Sequence, residues 1–188
     1  MDITHIFHCS LFTFIFLFSH SAIPSYASES QPSKNAPTEY MIITTGGELL
    51  RGIYEDKHVA FITRTLEPLG CRCLGTLSVG DVRQDILDVL QYASRKVNLI
   101  ITTGGLGPTD ADVTRKSLSE FAGIELQENP DVKKAMMQRF NATKWEEVRE
   151  NLRRQTLTPI QGTYLPNPNG TAVGLIFDNT KQVIIALP

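Results

Sequence analysis

The sequence predicts an α/β fold built around a mostly parallel sheet, and three observations carry that prediction. Short apolar runs alternate with longer stretches whose apolar residues recur every three or four positions. The runs end in glycine-rich turns, while the stretches begin at residues suited to cap a helix. From Tyr40 onward the order is strand, helix, strand, helix, strand, helix, which is the alternation of βαβ units.

Taken in order, Tyr40 to Thr45 is an apolar run stopped by Gly46-Gly47, a first strand. Lys57 to Leu69 sets Val59, Ile62, Leu66 and Leu69 on one helical face, with Gly70 as its stop. Cys71 to Val79 reads as a second strand. Asp81 is placed to cap a helix from Val82 to about Ser94, with Gln84 completing a capping box and Ile86, Val89, Leu90 and Ala93 as the buried stripe. Leu99 to Thr103 is a third strand, and it runs into the richest turn of the chain, Gly104-Gly105-Leu106-Gly107-Pro108-Thr109. A helix beginning between Asp112 and Thr114 reaches Ala122, with Gly123 at its end. From Pro130 to about Gln155 the pattern is helical and highly charged, broken near Asn141 to Lys144, which predicts two short helices with a solvated face. After Pro159, the runs Thr163-Tyr164-Leu165, Gly174 to Phe177 and Gln182 to Ala186 are separated by Asn, Pro and Gly and predict a small C-terminal β-hairpin or meander.

Ahead of this domain the composition changes. Five of the nine phenylalanines (Phe7, Phe12, Phe14, Phe16, Phe18) fall in the first eighteen residues, where no Lys or Arg occurs. Cys9 to Phe18 is apolar apart from Ser10 and Thr13, too short for a membrane-spanning helix but the length of a signal h-region. Ser25 and Ala27 then have the spacing of a small-x-small cleavage site, so residues 1–27 are read as a signal peptide cut before Ser28, although a basic n-region is missing. The expectation is export to the periplasm or medium, and a cytoplasmic protein if the leader is not a signal. Residues 28–39, rich in Ser and Pro, read as a disordered linker. The folded domain is assigned to residues 40–188.

Charge excludes one class of partner. Without residues 1–27 the chain keeps 18 basic and 19 acidic side chains, a balance that gives no nucleic-acid-binding surface. Cys71 and Cys73 form a C-x-C in a strand, without the companions a zinc site requires, and read as two residues facing one layer.

The chemistry gathers in the loops after the strands. Ligands of a parallel sheet bind beyond the carboxyl ends of the strands, and those loops hold Gly46, Gly47 and Glu48, then Gly80 and Asp81, then Gly104, Gly105 and Gly107 with Asp110 and Asp112. Glycines allow positive φ and close approach of amides, and a following helix N-terminus offers unpaired N–H groups, so an anion, a phosphate above all, suits the turn. A sharp strand-to-helix turn with no ligand is the plain alternative. Carboxylates beside a phosphate repel it unless a hard divalent cation such as Mg²⁺ bridges them, so Glu48, Asp81 and Asp112 together favour a metal and phosphate site, while each acid alone serves as a helix cap. The turn is neither a Walker A loop nor a dinucleotide fingerprint. His58, with no Ser or Cys motif around it, is assigned no catalytic role.

Thr102-Thr103-Gly104-Gly105-Leu106-Gly107-Pro108-Thr109 with Asp112 and Thr114 resembles the signature of the MoaB/Mog-type molybdopterin-binding domain, in the version found at the N-terminus of CinA (competence/damage-inducible) proteins. Gly46-Gly47-Glu48-Leu49-Leu50-Arg51-Gly52 is similar to that family's first-loop segment, Val79-Gly80-Asp81 to its second-loop acid, and Leu165-Pro166-Asn167 with Gly170, Ala172 and Gly174 to its late loop and strand. Two positions depart from the family pattern: Gly47 stands where Thr is usual, and Ala111 replaces the first member of an Asp-Asp pair, with Asp110 beside it as a substitute if that stretch is loop.

The resemblance implies a three-layer α/β sandwich that binds a phosphorylated nucleotide or pterin with a divalent metal ion (Mg²⁺ or similar). It further implies metal-dependent hydrolysis of a pyrophosphate bond in ADP-ribose-like substrates, without the family's nicotinamide mononucleotide deamidase domain, and a domain cut short at Pro188. The alternative is a non-catalytic nucleotide- or molybdopterin-binding module, or a degenerate remnant. Asp112, Asp81 and Glu48 are the catalytic candidates, and Asp112, Asp81 and Asp110 the metal ligands. Thr103, Gly104, Gly105, Gly107, Thr109, Thr114, Asn167 and Gly170 are the ligand-binding candidates. Expected partners are a small phosphorylated ligand (ADP-ribose, a nucleotide or molybdopterin) and a second copy of the chain as an option, with no nucleic acid and no stable membrane association after cleavage.

Overall fold

The computed structural model describes residues 38–53 and 55–188, so the predicted signal peptide and nearly all of the predicted linker lie outside the described residues. Eight strands and six α-helical segments are described: β1 (Glu39–Thr45), α1 (Gly47–Leu50), α2 (Lys57–Leu66), β2 (Arg72–Val79), α3 (Arg83–Ser94), β3 (Leu99–Thr103), α4 (Thr114–Ala122), β4 (Leu126–Glu128), α5 (Pro130–Arg139), α6 (Glu150–Arg153), β5 (Leu157–Pro159), β6 (Gly162–Leu165), β7 (Gly174–Asp178) and β8 (Val183–Leu187).

Six strands form one sheet in the order β2-β1-β3-β8-β7-β6. β1 pairs in parallel with β2 and β3, and β3 with β8, while β7 runs antiparallel to β8 and to β6. The late apolar runs do form hairpins, as expected, but they are part of the central sheet. β8 lies beside β3, with Ile101 opposite Ile185 and Thr103 opposite Leu187. Burial follows position in the sheet: β3 is buried at every residue, whereas the edge strand β2 alternates between half-buried and exposed. β4 and β5 pair as a separate two-stranded sheet that the periodicity did not reveal, because three-residue strands carry no readable period.

Helices cover both faces. One core joins Met41, Ile43, Ile100 and Phe177 to Ile86 and Leu90 of α3, Leu118 of α4 and Val132 of α5. The other joins Tyr40, Ile42, Ile101 and Ile185 to Ile62 and Leu66 of α2, with Cys71 and Cys73 packed against it as free thiols. The result is the three-layer α/β sandwich with a mostly parallel central sheet.

Local chemistry explains most boundaries. Asp56, at the N-cap of α2, accepts from the amides of His58 and Val59 at 2.9 and 3.2 Å. Beyond α2 a 3₁₀ turn holds Pro68, and Gly70 closes it at φ 79°. Gly123 closes α4 at φ 66°. The cap expected at Asp81 is corrected: α3 starts after Val82 with no side-chain cap, Asp81 is drawn to the first loop, and Gln84 bonds Asp88 at 2.9 Å instead of closing a capping box. The charged stretch from Pro130 forms two short helices as expected, α5 and the single turn α6, and the break at Asn141–Lys144 runs on into a 3₁₀ turn at Trp145–Glu147.

Candidate functional site at the carboxyl edge of the sheet

The chain leaves β1 for β2 on one side and returns to β3 on the other, so the carboxyl ends of β1 and β3 flank a topological switch point. A cleft of ≈ 440 Å³ opens there, lined among others by Thr45, Gly46, Glu48, His58, Thr103 and Gly104.

Its wall is a close fit of two strand ends. Gly104 and Gly105 have φ of 90° and 65°, and a Cβ on Gly104 would lie 2.3 Å from the Thr45 carbonyl oxygen. A Cβ on Gly105 would lie 2.0 Å from Thr114 Oγ1. The Thr45 hydroxyl donates to the Thr103 carbonyl at 3.2 Å, which leaves Thr114 Oγ1 to donate to Thr45 Oγ1 at 3.0 Å. The Gly104 amide donates to the Leu187 carbonyl at 3.0 Å, so β8 supports the turn as well. Among the described residues, no acceptor is found for the amides of Gly105 and Leu106.

The predicted acids divide among separate tasks. Asp112 Oδ1 accepts from the Gly107 amide at 2.9 Å, and Oδ2 from the Thr109 amide at 2.8 Å and the Thr109 hydroxyl at 2.5 Å. It staples the loop and caps nothing, since α4 begins after Val113 with no side-chain cap. Asp81 Oδ2 accepts from the Gly47 amide at 2.9 Å, tying the second loop to the first. Asp110, almost fully exposed, pairs with Arg154, and that guanidinium holds its carboxyl below the usual carboxylate range. Glu48 is exposed and lies 4.0 Å from Arg51. Among the described residues no three His, Cys, Asp or Glu side chains gather into a group able to hold a metal ion.

Asn167 and Gly170 are placed elsewhere on the same edge. Asn167 Oδ1 accepts from the amides of Asn169 and Gly170 at 3.0 and 3.1 Å, and its Nδ2 donates to the Ala172 carbonyl at 2.9 Å. With Tyr164, Met136 and Arg139 they line a second depression of ≈ 250 Å³. Two antiparallel steps from β8 leave β6 parallel to β3, so this depression also sits at a carboxyl end, three strand spacings or about 14 Å from the glycine turn.

A family model described as "Probable molybdopterin binding domain" matches residues 41–188. The chain belongs to this family. CinA-like proteins are among its curated relatives. A CinA-like protein of Geotalea uraniireducens is 33% identical over 146 residues, 78% of this chain and 34% of that protein. One from Prochlorococcus marinus is 34% identical over 144 residues, 77% of this chain and 34% of that protein. The chain thus spans about a third of the length of these curated relatives. Among solved structures, CinA of Thermoplasma acidophilum superimposes with a TM-score of 0.73 at 26% identity, covering 80% of this chain and 88% of that one. MoaB of Thermus thermophilus, at 18% identity and a TM-score of 0.51 over 80% of each chain, shows the shared fold alone.

Of the predicted residues, the structure brings Thr103, Gly104, Gly105 and Thr114 together with Thr45, and Gly107 and Thr109 together with Asp112. Sequence reasoning missed Thr45. Its signal was a repeated tetrapeptide, Thr44-Thr45-Gly46-Gly47 and Thr102-Thr103-Gly104-Gly105, which closes two adjacent parallel strands.

Proposed function

We propose that this chain binds a small phosphorylated pterin or nucleotide along the carboxyl edge of the sheet, with a phosphate on the glycine turn and the ring system toward the depression at Asn167. One observation carries the reading: the Gly104-Gly105 turn, held between Thr45 and Thr114, keeps the Gly105 and Leu106 amides without an acceptor among the described residues at the switch point. The edge has the length for an extended ligand carrying both a phosphate and a planar ring.

The test is calorimetric titration with ADP-ribose, followed by amide NMR. Saturable binding that inorganic pyrophosphate competes away and that shifts the Gly105 and Leu106 amides supports the assignment. Binding that leaves those amides unmoved, or no binding of ADP-ribose or a nucleoside triphosphate, overturns it.

Hydrolysis of the diphosphate bond is the second reading, and Glu48 favours it, because this exposed carboxylate lines the cleft beside Gly104. The residues expected to hold a divalent ion do not fit a metal centre, since Asp112 and Asp81 accept from loop amides and Asp110 pairs with Arg154. Release of AMP from ADP-ribose, lost in Glu48→Gln with binding retained, is the expected result of this reading. Undiminished turnover in that variant removes Glu48 from the chemistry.

A further inference from the structure

Leu106 and Gln155 are 49 residues apart, yet the segment 154–157 rests directly on the glycine turn. Gln155 is 1% exposed, and its Nε2 donates to the Leu106 carbonyl at 3.3 Å. Arg115 is 5% exposed; its Nη2 donates to that same carbonyl at 3.3 Å and its Nη1 to the Leu157 carbonyl at 2.6 Å. At the surface the Arg154–Asp110 pair ties the same segment to the loop just after the turn.

Both side chains are polar and buried, which is costly unless their donors are satisfied. Burial brings Arg115 down to about 10, so it stays charged at neutral pH, with the nearby Asp112 carboxylate favouring that charge. Gln155 Oε1 is buried and has no partner among the described residues. An apolar side chain of similar shape would avoid that unpaired oxygen, so the stabilising use of the Gln155 amide is its bond to Leu106. A run with three glycines in four positions otherwise has much conformational freedom to lose when it meets a ligand.

We propose that Arg115 and Gln155 are positioning residues for the Gly104–Gly107 turn: by sharing the Leu106 carbonyl, they hold the turn against the 154–157 segment in the conformation that accepts a phosphate. The inference rests on the binding reading above. It assigns the distant segment a role in preorganising the ligand site, transmitted through one backbone oxygen.

Amide hydrogen exchange on the full chain, paired with ADP-ribose titration, tests it. In Gln155→Leu the amides of Gly107 and Thr109 should exchange about tenfold faster while those of Ile42 and Ile101 are unchanged, and ADP-ribose affinity should fall by a similar factor. Arg115→Lys keeps the charge but loses the guanidinium fork that serves the two carbonyls from separate nitrogens, so it should give a weaker version of the same pattern; it is read by the same criteria if Gln155→Leu does not fold. Unchanged exchange at Gly107 and Thr109 in both variants, or a uniform rise across the whole sheet, overturns the proposal. If the local exchange pattern holds but the wild type binds no ADP-ribose, the positioning role stands and the binding reading falls.

Discussion

Gly105 shows how much a single atom can decide. Its φ of 65° disfavours any side chain, and the space a Cβ needs is filled by the hydroxyl of Thr114. Gly123 has nearly the same φ, 66°, with nothing within 4 Å of its missing Cβ. Gly105→Ala should therefore lose about 2–4 kcal/mol in urea unfolding, from conformation and crowding together, whereas Gly123→Ala should lose only the conformational part, about 1 kcal/mol. Equal losses would mean that the close fit against Thr114 is unimportant. The carboxylates teach a related lesson at the same scale. Asp81 and Asp112 were legible as important acids, but not which donors they would meet, because a carboxylate that can cap a helix can equally hold a loop amide, and the sequence contains both options.

For the elements, end signals were reliable where the partner is local and failed where it is distant. Gly70 closes the 3₁₀ turn beyond α2 and Gly123 closes α4, because a left-handed residue needs only its own backbone freedom. Asp56 caps α2 through amides two and three residues ahead, and Asp56→Ala should cost about 1 kcal/mol, seen as a lower urea midpoint with unchanged m. No change would show that the first turn of α2 is held by packing alone. Asp81 looks equally suited to cap α3, but the Gly47 amide, 34 residues earlier in the chain, takes its carboxylate. The short strands β4 and β5 were invisible for a similar reason: Leu126 is paired with Pro159, and only long-range contact makes either segment a strand.

Across the whole molecule, the sheet order matters most. β8 sits beside β3, so the last strand both completes the core and braces the glycine turn through Leu187. Phe177, fully buried on β7, connects those late strands to the core under α3 and α4. Phe177→Ala should cost about 3–5 kcal/mol and lower the Tm by roughly 10 °C, as measured by calorimetry. A shift of only one or two degrees would mean that the late strands are a dispensable appendage. The sequence by itself determined the alternation of strands and helices, the near-neutral charge, and the glycine turn that signals the family, because periodicity, turn chemistry and composition are local properties of the chain. Tertiary structure alone decided that β8 enters the sheet beside β3, that Thr45 and Thr114 clasp the turn, that the acids disperse to loop amides and Arg154, and that Arg115 and Gln155 meet on Leu106. Most of these are contacts between residues far apart in the chain, and even the short-range bonds of Asp112 to Gly107 and Thr109 are selected by a loop geometry that no local pattern encodes.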